Sequence, residues 1–509
     1  MRVKNSIRNM FSSVILKFIG IIVNLIAKAV FINVLGSEYL GLNSLFSNVI
    51  SMLSIVELGI GSSIAYYLYK PIVENDIEKQ KSLMKFYKKC YVCIGIIILF
   101  IGLIIMPLIP YFIEELTINV NINFAYILFL LSVVFSYFLS YKRNILYANQ
   151  KNYIINIIHI VYVIVINVIQ IAILYTTKNY YLFLSINIIM TILENVVINF
   201  IVNKQYNYLK DKDVKKLDKD TRKGIFLKTK GMLFHKIGGF VVLGTDNLLI
   251  SKFIGLITLG IYSNYCLIIN AVKSMIFQII QATTASTGNL IVTESKEKQY
   301  DIFKKIHFIN FLLTTITGIA LLLVMENFIT IWIGEEYLLS TNVLIVIIVN
   351  YYFICMRATF YVFKDAASLY YEDRYVPIIE SITNIVVSLI LIKFIGLSGV
   401  FLGTIISSFW LFFYSYPKYV YKKLFNKGYL SYFKEILEYI FLFFLILLIS
   451  FSLSNIYSFD NIYLEFLKNC ILSIVIPSLI LVAVFYRTDK FKYFVKILKN
   501  IFKRNKVLS

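Results

Sequence analysis

The sequence predicts an all-α polytopic membrane protein of about fourteen transmembrane helices. Three observations predict it. The chain has 509 residues, is 59% hydrophobic and has a mean hydropathy of +0.78, which would leave a water-soluble fold with too much apolar surface. Fourteen apolar runs of about 19 to 30 residues are each long enough to cross a bilayer. About four fifths of the 50 Lys and Arg residues fall in the N-terminus, the C-terminus and every second loop between those runs. Lys178 is the single basic residue in a loop on the opposite side. That alternation is the positive-inside pattern and predicts cytoplasmic termini.

The runs fall at 11–35, 40–69, 90–113, 122–141, 153–175, 181–202, 231–254, 258–286, 306–331, 341–363, 377–395, 399–421, 436–456 and 465–487. The first follows the basic stretch Met1–Met10 but is too long for a signal peptide, and no small-residue cleavage site follows it. A four-residue turn from Gly36 to Tyr39 leads into the second. The third opens on Cys90 and Cys93, which lack a second pair to complete a zinc site and read as small apolar residues in a helix. Outer loops such as 114–121 and 396–398 are too short to hold a domain. The tail from Arg487 carries eight basic residues, with Phe491, Phe494, Leu498 and Ile501 at helical spacing, and predicts an amphipathic helix on the inner leaflet.

The longest connection, 203–230, is dense in Lys, Arg and Asp and reads as a solvated basic linker. It divides an N-lobe (1–202, spans 1–6) from a C-lobe (231–421, spans 7–12), followed by spans 13–14 (422–487) and the basic tail (488–509). A shift of 219 residues superimposes Lys17, Gly20, Gly36 and Gly41 on Lys236, Gly239, Gly255 and Gly260. The matched lysine and glycine pair point to an internal duplication, a transporter signature, with two lobes around a central cavity.

Charges inside spans are expensive and mark function. In span 1, Lys17, Asn24 and Lys28 share a face, since positions seven or eleven apart align on a helix. Span 7 carries Lys236 and Asn247 on one face, with His235 and Asp246 beside it. Lys273 lies in span 8, Arg357 in span 10, Glu57 in span 2 and Glu194 in span 6. Lys252, Lys393 and Lys468 lie near span ends, where a lysine can snorkel. One polar stripe is a helix–helix seam; stripes in both lobes predict a wet cavity. Excess cations there, Lys17, Lys28, Lys236, Lys273 and Arg357, select for an anion such as phosphate. Asn24, Glu57, Glu194, His235, Asp246 and Asn247 are further polar candidates. Glu57 and Asp246 can each pair with a lysine or serve as a proton or sodium site.

The net charge of +22 is explained by cytoplasmic loops facing anionic lipid, so no nucleic-acid partner is expected. No Walker A, metallopeptidase or G-x-S-x-G motif occurs, and no catalytic residue, metal or cofactor is expected. A membrane polymerase would need carboxylates on a large water-facing loop; Glu114-Glu115 and Glu335-Glu336 sit in short ones.

Three stretches resemble a known family: Thr245-Asp246-Asn247 to Ser251 with Phe253-Ile254-Gly255 and Leu259-Gly260-Ile261-Tyr262-Ser263; Val34-Leu35-Gly36 to Gly41-Leu42 with Glu57-Leu58-Gly59-Ile60-Gly61 and Tyr69-Lys70-Pro71; and Gly396 to Thr404. They are similar to the Wzx-type polysaccharide flippases of the multidrug/oligosaccharidyl-lipid/polysaccharide exporter superfamily. The resemblance implies two six-helix lobes forming a V. It also implies a non-enzymatic flippase for undecaprenyl-pyrophosphate-linked oligosaccharide repeat units, serving capsule, O-antigen or exopolysaccharide assembly at the bacterial inner membrane. Implied partners are membrane lipid and a polysaccharide polymerase and ligase; a monomer is expected. Fourteen spans also resemble the lipid II flippase branch. A cation-coupled multidrug exporter and, more remotely, a membrane polymerase stay open as alternatives.

Overall fold

Long Ile-, Leu- and Phe-rich runs with almost no proline leave the backbone one way to satisfy its own polar groups in lipid, which is the helix. The computed structural model describes the backbone of residues 2–505 except 58–59, 114–115, 212, 368 and 370–371. Side chains are described outside these positions and outside 2–11, 14, 55–56, 62, 139, 227–228, 230–243, 285, 497–498 and 500–505.

Among the described residues the chain is helical throughout, with no strand. The helices are α1 (Arg2–Leu35), α2 (Ser37–Leu53), α3 (Ile60–Val73), α4 (Ile77–Ile105), α5 (Ile122–Ser140), α6 (Arg143–Ala148), α7 (Asn152–Thr177), α8 (Tyr180–Gln205) and α9 (Lys219–Phe253). They continue as α10 (Leu256–Gln281), α11 (Thr284–Thr293), α12 (Lys296–Trp332), α13 (Thr341–Ala366), α14 (Val376–Ile395), α15 (Leu397–Phe409), α16 (Tyr429–Ser454), α17 (Ile462–Phe485) and α18 (Asp489–Asn505). Eleven helical segments are long and apolar enough to cross a membrane. The other three predicted spans correspond to the broken pair α2–α3, the shorter α5, and α9. The chain is thus an all-α polytopic membrane protein. Ile157, Val161, Val165 and Val168 form an exposed apolar stripe along α7, and Val196, Val197 and Phe200 one along α8, as lipid-facing helices require.

The chain packs as two compact units, 1–260 and 261–509. In the first, α1 packs on α7, α5 on α4 and α8, and α9 on α2 and α3. The packing boundary therefore follows α9, whereas the repeat boundary read from the sequence falls in the 203–230 linker. In the second, α12 and α13 are largely buried. Against α12 lie α16, α17 and α18, and α14 pairs with α15. Beyond α15 the chain continues as a wider π-helix, Trp410–Leu424, which contains Pro417; a proline removes one backbone donor and disfavours the regular α ladder.

The two glycine turns matched in the sequence fold alike. Gly36 and Gly255 take φ of 92° and 107°, ahead of α2 and α10; only glycine adopts such angles readily. A Cβ on Gly41 would lie 1.9 Å from the Leu256 carbonyl oxygen, and one on Gly260 would lie 2.1 Å from the Ser37 carbonyl oxygen. Under the 219-residue shift Ser37 becomes Leu256 and Gly41 becomes Gly260, so this contact is its own image, as a two-fold pairing requires. It supports the internal duplication.

Candidate functional site

The second predicted span breaks in its middle. α2 ends at Leu53, a 3-10 turn runs Ser54–Glu57, and α3 resumes at Ile60. Glu57 sits at that break. Its carboxylate accepts hydrogen bonds from the Tyr91 hydroxyl of α4 and, at 3.3 Å, from the Tyr137 hydroxyl of α5. Tyr91 and Tyr87 sit one turn apart on α4 with ring centroids 4.4 Å apart and planes tilted by 60°. Gly61 lets these rings approach: a Cβ there would fall 2.9 Å from the Tyr87 hydroxyl. Asn144 of α6 donates from Nδ2 to the Gly61 carbonyl at 3.1 Å and pins the chain beyond the break. A cavity of about 500 Å³ opens here, lined by Glu57, Tyr87, Tyr91, Tyr137, Arg143 and Tyr147 among others.

Arg143 begins α6 and connects this cavity to a buried charge cluster. Its guanidinium lies 2.9 Å from Glu194 of α8 and donates to Asn195 Oδ1 at 3.0 and 3.2 Å. Glu194 also meets His159 Nδ1 of α7 at 2.8 Å. Glu194, the polar candidate of span 6, therefore forms one unit with His159 of α7 and Arg143. The site holds a carboxylate steadied by phenol donors and an arginine fork steadied by Glu194 and Asn195. Such a set can bind a polar, hydrogen-bonding group or hold a proton or small cation at Glu57.

Sequence reasoning missed Arg143, because it fell in a predicted loop, and missed the tyrosines, because phenols blend into an apolar run. The one legible signal was Tyr87, Tyr91 and their spacing of four, one helix face. Glu57, for which the sequence left open a lysine partner or a proton or sodium site, accepts from two tyrosines.

In the second unit the candidate Arg357 of α13 is 7% exposed and pairs with Glu380 of α14 at 2.8 Å. Lys364 pairs with Asp373, which also accepts from the Ser415 hydroxyl at 2.6 Å. Arg357 thus has a neutralising acid on a neighbouring helix, where the sequence showed none on its own. Lys273 of α10 is half-buried, and no acid lies within ion-pair distance of it among the described residues. On α1, Lys17 and Lys28 are half-buried and Asn24 is exposed. Asp246 of α9 is buried and Asn247 half-buried. The side chains of His235 and Lys236 lie outside the described residues.

The sequence matches no protein-family profile and no curated protein. Solved structures do match its fold. The lipid II flippase MurJ in an inward closed conformation is similar with a TM-score of 0.68 at 16% identity, covering 95% of this chain and 99% of that chain. A multidrug resistance MATE family transporter of the MOP superfamily, inward-facing, is similar with a TM-score of 0.57 at 14% identity, covering 76% of this chain and 91% of that chain. The Vibrio cholerae MATE transporter VcmN is similar with a TM-score of 0.55 at 12% identity, covering 80% of this chain and 94% of that chain. The chain has the fold of these membrane transporters and flippases.

Proposed function

We propose that the chain is a flippase that carries undecaprenyl-pyrophosphate-linked oligosaccharide repeat units from the inner to the outer leaflet of the bacterial cytoplasmic membrane, by alternating access, for cell-surface polysaccharide assembly. Both termini lie in the cytoplasm in this reading. The observation that carries it is the sign of charge on two apolar helices. α1 contains Lys17 and Lys28 and no acid; α10 contains Lys273 as its sole charged residue. A lysine in an apolar span is costly, and pyrophosphate is an anion that ammonium groups bind as point charges. An exporter of cationic drugs would place acids there instead.

In this reading Lys17, Lys28, Lys236 and Lys273 receive the headgroup. Arg357, held by Glu380, keeps a structural role. Glu57 and Arg143 tune the first unit, together with Glu194, and Asn24, His235, Asp246 and Asn247 supply further polar contacts. Moving two negative charges outward across an inside-negative membrane releases about 4 to 5 kcal/mol per 100 mV, so no coupling ion is needed for net export. Collapse of the membrane potential should then slow transport.

A lipid II-type substrate is the second reading. It is favoured by coverage: the MurJ structure spans 95% of this chain, whereas the MATE structures span 76% and 80%. Lipid mass spectrometry on cells depleted of the chain separates the readings. Accumulation of an undecaprenyl-pyrophosphate oligosaccharide repeat unit supports the first, and accumulation of lipid II the second. Normal levels of both, with altered drug sensitivity, sink both and favour an exporter.

A further inference from the structure

The connection between α8 and α9 does not hang free. It lies across α4: the Ser82 hydroxyl donates to the Lys215 carbonyl at 2.9 Å, Lys85 Nζ to the Val214 carbonyl at 3.2 Å, and the Tyr208 hydroxyl to Gln80 Oε1 at 2.5 Å. This packing roofs a cavity of about 310 Å³ within the first unit, in the turns of α4 that precede its apolar stretch. Lys81, Lys85 and Lys88 recur along one face of α4, Lys142 enters from the α5–α6 turn, and Lys210 from the connection. Against these five lysines the lining holds one acid, Asp211.

That acid is engaged. Asp211 Oδ2 lies 3.1 Å from Lys81, which also contacts Glu78. The remaining acids of the region, Glu78 and Asp213, line an adjoining cavity on the Lys81 side. Lys88, Lys142 and Lys210 have no acid within ion-pair distance among the described residues. Lys142 donates instead to Asn203 Oδ1 at 2.5 Å. Lys88 and Lys142 also lie 5.9 and 5.8 Å from the Tyr141 ring centroid. Burial, then Lys88 and Lys210, pull the Lys142 ammonium below the usual lysine range. Like charges gathered in a roofed pocket repel one another until a counter-ion arrives.

We propose that this pocket binds a phosphate-bearing anion through Lys88, Lys142 and Lys210. The source is either the headgroup of an acidic phospholipid from the cytoplasmic leaflet or free pyrophosphate. Basic pockets on the cytoplasmic side of membrane helices suit such headgroups, and the volume lies at the small end of ligand sites, sized for a headgroup rather than a sugar chain. The inference stands apart from the transported substrate, because it rests on different residues.

The test uses purified full-length protein and the pair Lys88→Gln/Lys142→Gln, with exposed Lys219→Gln as control. Lipid retention is measured by native mass spectrometry from nanodiscs of phosphatidylglycerol or phosphatidylcholine, with and without inorganic pyrophosphate. The wild type and the control should retain phosphatidylglycerol over phosphatidylcholine or bind pyrophosphate, and the double variant should lose about tenfold in affinity, the scale of one charge-assisted contact. Displacement of phosphatidylglycerol by pyrophosphate, or pyrophosphate binding without lipid selectivity, identifies the soluble source. Selectivity that pyrophosphate leaves intact identifies the lipid. The proposal is overturned if the wild type binds neither probe, or if a double variant that elutes like the wild type binds as well as it does. Should the double variant aggregate, Lys88→Gln alone takes its place with a several-fold loss expected and the same overturning result.

Discussion

The two units hold similar charges in opposite circumstances. In the first, Glu57 and Arg143 line a cavity of about 500 Å³, and their partners, Tyr91, Tyr137, Glu194 and Asn195, steady them without covering them. In the second, Arg357 and Glu380 are 7% and 5% exposed, and Lys364 and Asp373 are 3% and 2% exposed. A buried pair locks helices and contributes little beyond the cost of burying it, yet breaking it is severe. A charge beside a cavity is available to a visitor. The same residue types inside a membrane span therefore divide into structure and function by what closes over them, which sequence cannot show.

That contrast can be broken in several ways. The largest effect is expected at Arg357. Arg357→Ala should lose about 3 to 5 kcal/mol of stability in detergent unfolding, because Glu380 is left buried and alone, while Arg357→Met with Glu380→Leu should recover most of it. If the single and double variants unfold alike, the pair is not structural. At Glu57 the balance should reverse. Glu57→Gln should lower transport about tenfold while shifting stability by only about 1 kcal/mol, since the amide oxygen still accepts from one tyrosine hydroxyl and the amide nitrogen can donate to the other. Equal loss of stability and transport would place Glu57 with Arg357. Arg143→Lys should cost transport a few-fold, because lysine keeps the charge but not the fork that spans Glu194 and Asn195; an unchanged rate would remove Arg143 from the site.

The smallest effect is a pH dependence outside the membrane. Lys79, then hydrogen bonds from Thr221, hold the Asp218 carboxyl below its usual range, where it caps α9. A depressed carboxyl stabilises the folded state above its unfolded value and loses that contribution as pH falls through the folded one. Asp218 is about half exposed, so the loss is small. Acid unfolding of Asp218→Asn should differ from wild type near neutrality and converge with it at low pH.

Much of the fold was legible because a bilayer admits few solutions. The apolar runs and the glycine turns at Gly36 and Gly255 all correspond to structural elements. The break at Ser54–Glu57 was not legible, because an apolar run does not record where its helix stops. Nor was the packing of 203–230, whose charges read as solvated but whose Ser82, Lys85 and Tyr208 contacts are made across distant sequence. The candidate cations were visible as charges in spans; their partners were not. Arg357 looked unpaired only because Glu380 lies on another helix, and Glu194 looked isolated until Arg143 and His159 met it.

The central claim is that cations on apolar helices carry an anionic lipid headgroup across the membrane. Its most direct test is transbilayer movement of an undecaprenyl-pyrophosphate oligosaccharide in vesicles containing the purified chain, under an imposed potential, for wild type, Lys28→Gln and Lys273→Gln. The account predicts potential-accelerated flipping by the wild type, and about tenfold slower flipping by each variant at unchanged stability. Wild-type vesicles that flip the lipid no faster than protein-free ones, or lysine variants that flip it at the wild-type rate, would contradict it.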